Sequence, residues 1–97
     1  MKAIFIVYDQ ARGEEVAEML ERLGQRGFTR WTDIAGRGSA DGNPHFGNHA
    51  WPAMNDAILT FVEDGLAAPV LEEVRRMSGE ARDLGLRAFV WDVCDAF

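Results

Sequence analysis

Gly36-Arg37-Gly38-Ser39-Ala40-Asp41-Gly42-Asn43-Pro44-His45-Phe46-Gly47-Asn48-His49 carries the densest mixture of chemically useful side chains in this chain of 97 residues. Its Gly, Pro, Asn and Asp content argues against a regular element and for a long loop. Glycine lets such a loop approach a ligand or partner closely. Arg37 is a phosphate- or carboxylate-binding side chain by type. His45 and His49, the only histidines, are four residues apart, with Asp41 and Met54 near in sequence. Imidazoles in such a set suit copper, zinc or nickel, so a divalent metal is one candidate ligand. On a helix both rings would share a face, but Pro44 and Gly47 oppose helix here, and the plain alternative is two exposed loop histidines. Trp51-Pro52 closes the segment, and packing against the sheet is the expected role of the indole. No Ser-His-Asp set, paired-carboxylate spacing or nucleotide-transfer motif stands elsewhere in the chain, so an enzyme is not expected.

The elements that must position this loop follow from hydrophobic periodicity. Ala3 to Tyr8 is nearly continuously apolar, as in a strand covered on both faces in the interior of a sheet. Val16, Met19, Leu20 and Leu23 share one face of a helix running from Gly13 to Arg26, with Glu14 and Glu15 in its first turn, where the helix dipole favours acids. From Phe28 the period changes to two, with Phe28, Arg30, Thr32 and Ile34 opposing Thr29, Trp31, Asp33 and Ala35. That pattern suits a half-exposed strand near a sheet edge. After the loop, about residues 36–54, the apolar run Asn55 to Asp64 reads as a third strand, antiparallel to the second. Pro69 is expected in the first turn of a second helix, whose buried stripe is Val70, Leu71, Val74, Met77 and Ala81. Leu86 to Cys94 is the last strand. The order is βαββαβ: an α+β, ferredoxin-like sandwich with a four-stranded antiparallel sheet and both helices on one face. Its other face needs a cover, and the aromatic positions Tyr8, Phe89 and Trp91 are expected there, which favours an oligomer.

Composition narrows the partners. A net charge of −6 with no basic stripe disfavours nucleic acid and anionic membrane surfaces. The N-terminal apolar run is interrupted by Asp9, Gln10 and Arg12, so it reads as a strand and not a signal peptide. No apolar run approaches the ~20 residues needed to span a bilayer. Cys94 is the only cysteine, which excludes an internal disulfide, favours a cytoplasmic location and suggests a small buried residue near the C-terminus.

Leu23-Gly24-Gln25-Arg26-Gly27-Phe28-Thr29, then Asp33-Ile34-Ala35-Gly36-Arg37-Gly38, Leu66 to Val74, and Phe89-Val90 together resemble the PII-type signalling proteins. The likeness in element order covers nearly the whole chain, read as one domain, 1–97. It implies a homotrimer, a long T-loop leaving the second strand to contact a target protein, and an effector site in the clefts between subunits. By the same resemblance, Thr29, Gly36, Arg37 and Gly38 fall on the T-loop side of that site, with Gly85 and Arg87 on the side of a B-loop shortened to Leu84–Arg87. Backbone amides beside glycine and a pair of arginines suit phosphate, so the implied effector is an adenine nucleotide (ATP, ADP or AMP), with no cofactor required. The implied target is a partner such as a membrane transporter, met by Asp41, Asn43, Phe46 and Trp51 on the loop. Uridylylation of a T-loop tyrosine is unavailable, because the only tyrosine is Tyr8. Two other readings stay open. A copper- or zinc-binding sensor or tolerance protein similar to the CutA proteins would use His45 and His49. A small ferredoxin-like monooxygenase would use Asn48, His49, Trp51 and Asn55, which supply the side-chain types but crowd into one loop.

Overall fold

The apolar run near the N-terminus forms β1, Lys2–Asp9, in the computed structural model, which describes residues 1–37, 40–80 and 86–97. A 3₁₀ turn Gln10–Arg12 follows, then α1 Gly13–Arg22, β2 Thr29–Ile34, β3 Asn55–Val62, α2 Asp64–Glu80 and β4 Arg87–Asp92. The strand order is β2-β3-β1-β4, with every neighbouring pair antiparallel. This is the βαββαβ ferredoxin-like sandwich that the periodicities predict, with the apolar first strand inside the sheet.

Side-chain alternation gives each strand two faces. Ile4, Ile6 and Tyr8 of β1 form one buried cluster with Ile58 and Val62 of β3, Val16, Met19 and Leu20 of α1, and Val70, Val74 and Met77 of α2. Both helices therefore cover the same side of the sheet. Tyr8 belongs to this covered face, which corrects its expected place on the open one. The register shows why: Tyr8 is an even position of β1, in phase with Ile4 and Ile6, and its burial pushes the hydroxyl pKa up, helped by the Asp56 carboxylate.

The open face is read in rows across the strands, because directly paired residues share a side. Phe61, Ala3 and Trp91 form one row; Thr29, Leu59, Phe5 and Phe89 the next; Trp31, Ala57, Val7 and Arg87 a third. Ala3 is fully buried although it faces away from the helices, lying between two large aromatic residues of its row. Phe5 meets Trp31 edge to face, with ring centres 6.4 Å apart.

Several boundaries differ from the expectation for identifiable reasons. α1 stops at Arg22, not Arg26, because Gly24 takes φ 82°. Its N–H then donates to Glu21 O at 3.0 Å and that of Gln25 to Leu20 O at 2.8 Å, the paired bonds of a Schellman cap. α2 begins at Asp64, so Pro69 lies inside the helix and not in its first turn. The apolar stripe extends back to Leu66 and Ala67, and Pro69 is on the exposed side. Ala81 lies outside the described residues. In β2 the period-two pattern fails after Trp31: Trp31 pairs with Ala57 but Ile34 with Asn55, so one extra residue is accommodated as a bulge. Asp33 takes φ 58° there, its N–H donating to Asp56 Oδ1 at 3.0 Å while the Gln10 amide reaches both carboxylates. The bulge brings Ile34 to the same side as Trp31. Cys94 is exposed, against its expected burial, because it lies past the end of β4.

Candidate functional site

Where β1, β4 and the segment leaving β2 meet on the open face, they enclose a cavity of about 300 Å³. Phe5, Val7, Ile34 and Phe89 give it an apolar floor, while Arg37 and Arg87 supply its charge and, among the described residues, no carboxylate lines it. Register explains the floor: Phe5 pairs with Phe89 and Val7 with Arg87 across β1 and β4, and the β2 bulge supplies Ile34. Arg87 Nη1 donates to Leu86 O at 2.9 Å, which anchors one edge of the guanidinium and leaves its other donors. Arg37 is exposed. Two cationic forks over an apolar floor, in a protein of net charge −6, are chemistry that suits an anionic ligand with a flat apolar part.

The structure thus brings together Gly36, Arg37 and Arg87 of the predicted effector residues. Thr29 is apart, in the row of Leu59 and Phe5 at the outer edge of β2, and does not line the cavity. Gly38 and Gly85 lie outside the described residues. Gly36 contributes differently from expectation. Its N–H donates to His45 O at 2.9 Å and its carbonyl accepts from His45 N–H at 2.7 Å, so neither group faces an anion. Asn55, which also lines the cavity, packs closely on Gly36: an added Cβ would stand 3.1 Å from its side-chain nitrogen, which would have to shift by a few tenths of an ångström.

The loop folds back on itself at three levels. The Gly36/His45 bridge is the first. Gly47, at φ 65°, donates to Ala53 O at 3.0 Å. The Asn48 N–H donates to Trp51 O at 3.0 Å, and Asn48 Oδ1 accepts from Trp51 N–H at 2.7 Å. Below these bonds, Gln10 N–H donates to Met54 O at 3.1 Å and ties the loop's end to the turn after β1. Phe46 and Trp51 are exposed, as is Asp41. Asn43 is exposed as well. Trp51 therefore anchors the turn through its backbone, and its side chain is 41% exposed.

The two histidines have different environments. His45 is only 4% exposed. Its Nδ1 lies 2.7 Å from Asn55 Oδ1 and 3.7 Å from Asp9 Oδ2, so Asn55 is its hydrogen-bond partner. His49 is exposed on the outer turn. Among the described residues no three His, Cys, Asp or Glu side chains gather as a metal would require. Of the two histidines read as a metal pair, His45 is thus buried against Asn55 and His49 is on the surface. The monooxygenase set fares similarly: Asn48, His49 and Trp51 are exposed, whereas Asn55 is buried against His45. Phe5, Val7, Ile34 and Asn55 escaped the sequence reading of the effector site, since only the register across β1, β3 and β4 places them beside Arg37. Asn55, a polar residue opening an apolar strand, was the available signal.

Comparison with known proteins gives a consistent picture. The family model of the nitrogen regulatory protein P-II matches residues 1–97. Among solved structures, CPII of Thiomonas intermedia K12, a nitrogen regulatory PII-like protein, is similar in its apo form, with a TM-score of 0.73 and 23% identity over 95% of this chain and 87% of that one. The same protein bound to ADP and bicarbonate gives a TM-score of 0.77 at 25% identity, covering 95% and 84% of the two chains. A PII-like signalling protein of Thermus thermophilus gives 0.67 at 23% identity, with coverages of 95% and 84%. No curated protein matches the sequence.

Proposed function

The chain belongs to the P-II family of nitrogen regulatory proteins, a family of regulators and not of enzymes, and on that premise we propose a cytoplasmic, homotrimeric regulator that senses an adenine nucleotide. The cavity with Arg37 and Arg87 over the Phe5/Phe89 floor is the observation that carries this reading: the guanidiniums suit phosphate and the apolar floor suits a base. CPII has been solved with ADP and with ADP, AMP and bicarbonate, which supports the ligand class. Trp31, Phe61, Phe89 and Trp91 are 45–56% exposed on the uncovered sheet face, and neighbouring subunits are their natural cover. In the trimer a neighbour completes the cleft, and Thr29 joins the effector site there.

No bond is broken in this mechanism. Nucleotide contacts favour one arrangement of the segment that starts at Gly36, and that arrangement decides whether a target protein, such as a membrane transporter, docks on Asp41, Asn43, Phe46 and Trp51. No helix of the described residues is long and apolar enough to cross a membrane, so the transporter would be met from outside the bilayer. Titration calorimetry with ATP, ADP and AMP, alongside native mass measurement, tests the proposal. Arg37→Ala and Arg87→Ala should each weaken binding by about tenfold to a hundredfold, the weight of a charge-assisted hydrogen bond. A folded trimer that takes up none of the three nucleotides at millimolar concentration would sink the effector reading.

A further inference from the structure

His45 is a buried ionisable side chain that the binding site itself does not use. Its backbone makes both bonds of the bridge to Gly36, and its ring is held by Asn55 at 2.7 Å. Gly36 and Asn55 both line the cavity, and Asn55 is 2% exposed. One residue therefore touches the cavity wall twice, through backbone and ring, while lying two positions before the turn-forming Gly47 of the outer loop.

From this geometry we infer that His45 is a positioning residue, a latch that holds the Gly36–Arg37 rim of the cavity and transmits the state of that rim to the outer loop. The physical basis is bond placement. Neutral imidazole has one donor and one acceptor nitrogen. Asn55 Oδ1 can only accept, so the ring hydrogen sits on Nδ1. Asp9 cannot substitute as partner: its Oδ2 is 3.7 Å from Nδ1, and its Oδ1 accepts the Ala11 N–H at 2.8 Å. Asn55 is itself fixed by β3, paired with Asp9 on one side and Ile34 on the other. Losing the Nδ1–Asn55 bond leaves a buried acceptor unsatisfied. The least costly response is for the short Gly36/His45 bridge to open, which releases Arg37 from the cavity and Gly47 from its turn together.

The transmission to a nucleotide rests on the effector reading above, whereas the latch is measurable without ligand. Amide hydrogen exchange of the full chain reports on the Gly36, His45 and Gly47 N–H groups, and calorimetry reports on ADP. His45→Leu should speed exchange at all three amides at least about tenfold and weaken ADP binding by a similar factor. His45→Asn, whose side-chain nitrogen can occupy the position of Nδ1, should restore both; a filler role for the ring would not be rescued this way. Arg37→Ala should weaken ADP binding and leave the three amides unchanged. His45→Gln, which keeps polarity but displaces the donor, replaces the leucine variant if that chain does not fold. The nitrogen spectrum of the ring should show hydrogen on Nδ1. Amide exchange within about threefold of wild type in both His45→Leu and His45→Gln overturns the latch, as does a ring carrying its hydrogen on Nε2. If wild type shows protected amides that open in the variants but no ADP binding, the latch stands and the effector reading falls.

Discussion

The two faces of the sheet are made by the same strands and end in opposite conditions. On the helix side, Ile4, Ile6 and Ile58 are at most 1% exposed. On the other side, Phe61, Phe89 and Trp91 remain about half in water. Residues one position apart along β1 and β4 thus serve different purposes. The covered face uses burial to stabilise this chain; the open face keeps large aromatic side chains half exposed and shapes the cavity with its two arginines. What distinguishes them is the helices, since α1 and α2 both turn their stripes to one side and no described element covers the other.

The contrast is broken most directly by Ile6→Ala. Removing that buried side chain should cost about 2–5 kcal/mol, read as a lower midpoint in chemical denaturation. If the loss is under about 1 kcal/mol, the covered face is not the one that holds the fold together. Gly47→Ala comes next, because φ 65° disfavours a side chain and the new Cβ would meet Met54 Cγ at 2.7 Å. It should destabilise by about 1–3 kcal/mol, more than Gly24→Ala, where φ is 82° but no atom lies within 4 Å. Equal losses for the two glycines would mean that Met54 yields freely. Trp91→Ser on the open face should change the midpoint of the isolated subunit by less than about 1 kcal/mol, as surface substitutions do, yet lower the oligomer mass. An unchanged mass would remove the open face from the subunit interface. The smallest effect is that of Glu15→Gln on the helix side. The hydrogen bond from the buried Arg12 guanidinium, at 2.6 Å, holds the Glu15 carboxyl below its ordinary 4.5. A lowered carboxyl stabilises the fold above the unfolded-state value and loses that contribution as pH falls through the folded one. Glu15→Gln should therefore cost at most about 1 kcal/mol at neutral pH, and the gap to wild type should close below pH 4.5. A gap constant across that range would show that the ion pair contributes nothing.

Much of the fold was legible because its signals are local. The run Ala3 to Tyr8, the Val16–Met19–Leu20 stripe and the Val70–Val74–Met77 stripe each specify their element without reference to the rest of the chain. The Gly-rich segment marked a loop for the same reason. The candidate site was half legible: Gly36 and Arg37 stand beside that loop and resemble a family pattern, and Arg87 sits in the matching place at the start of the last strand. Phe5, Val7, Ile34 and Asn55 were not, because each is an ordinary strand residue whose cavity neighbours lie far away in the chain. The Asp33 bulge, an interplay of two carboxylates and Gln10, turns Ile34 to the cavity. His45 and His49 show the same limit, since a spacing of four says nothing about which ring a fold will bury.

By itself the sequence determined the order of strands and helices, the position of the loop and the charge balance, because periodicity, glycine and net charge act through neighbours or through the sum. Only the tertiary structure decided which face stays open, where Arg37 meets Arg87, and that His45 turns inward to Asn55. Those outcomes depend on register and on bulge placement, which are fixed by packing among residues far apart in the chain.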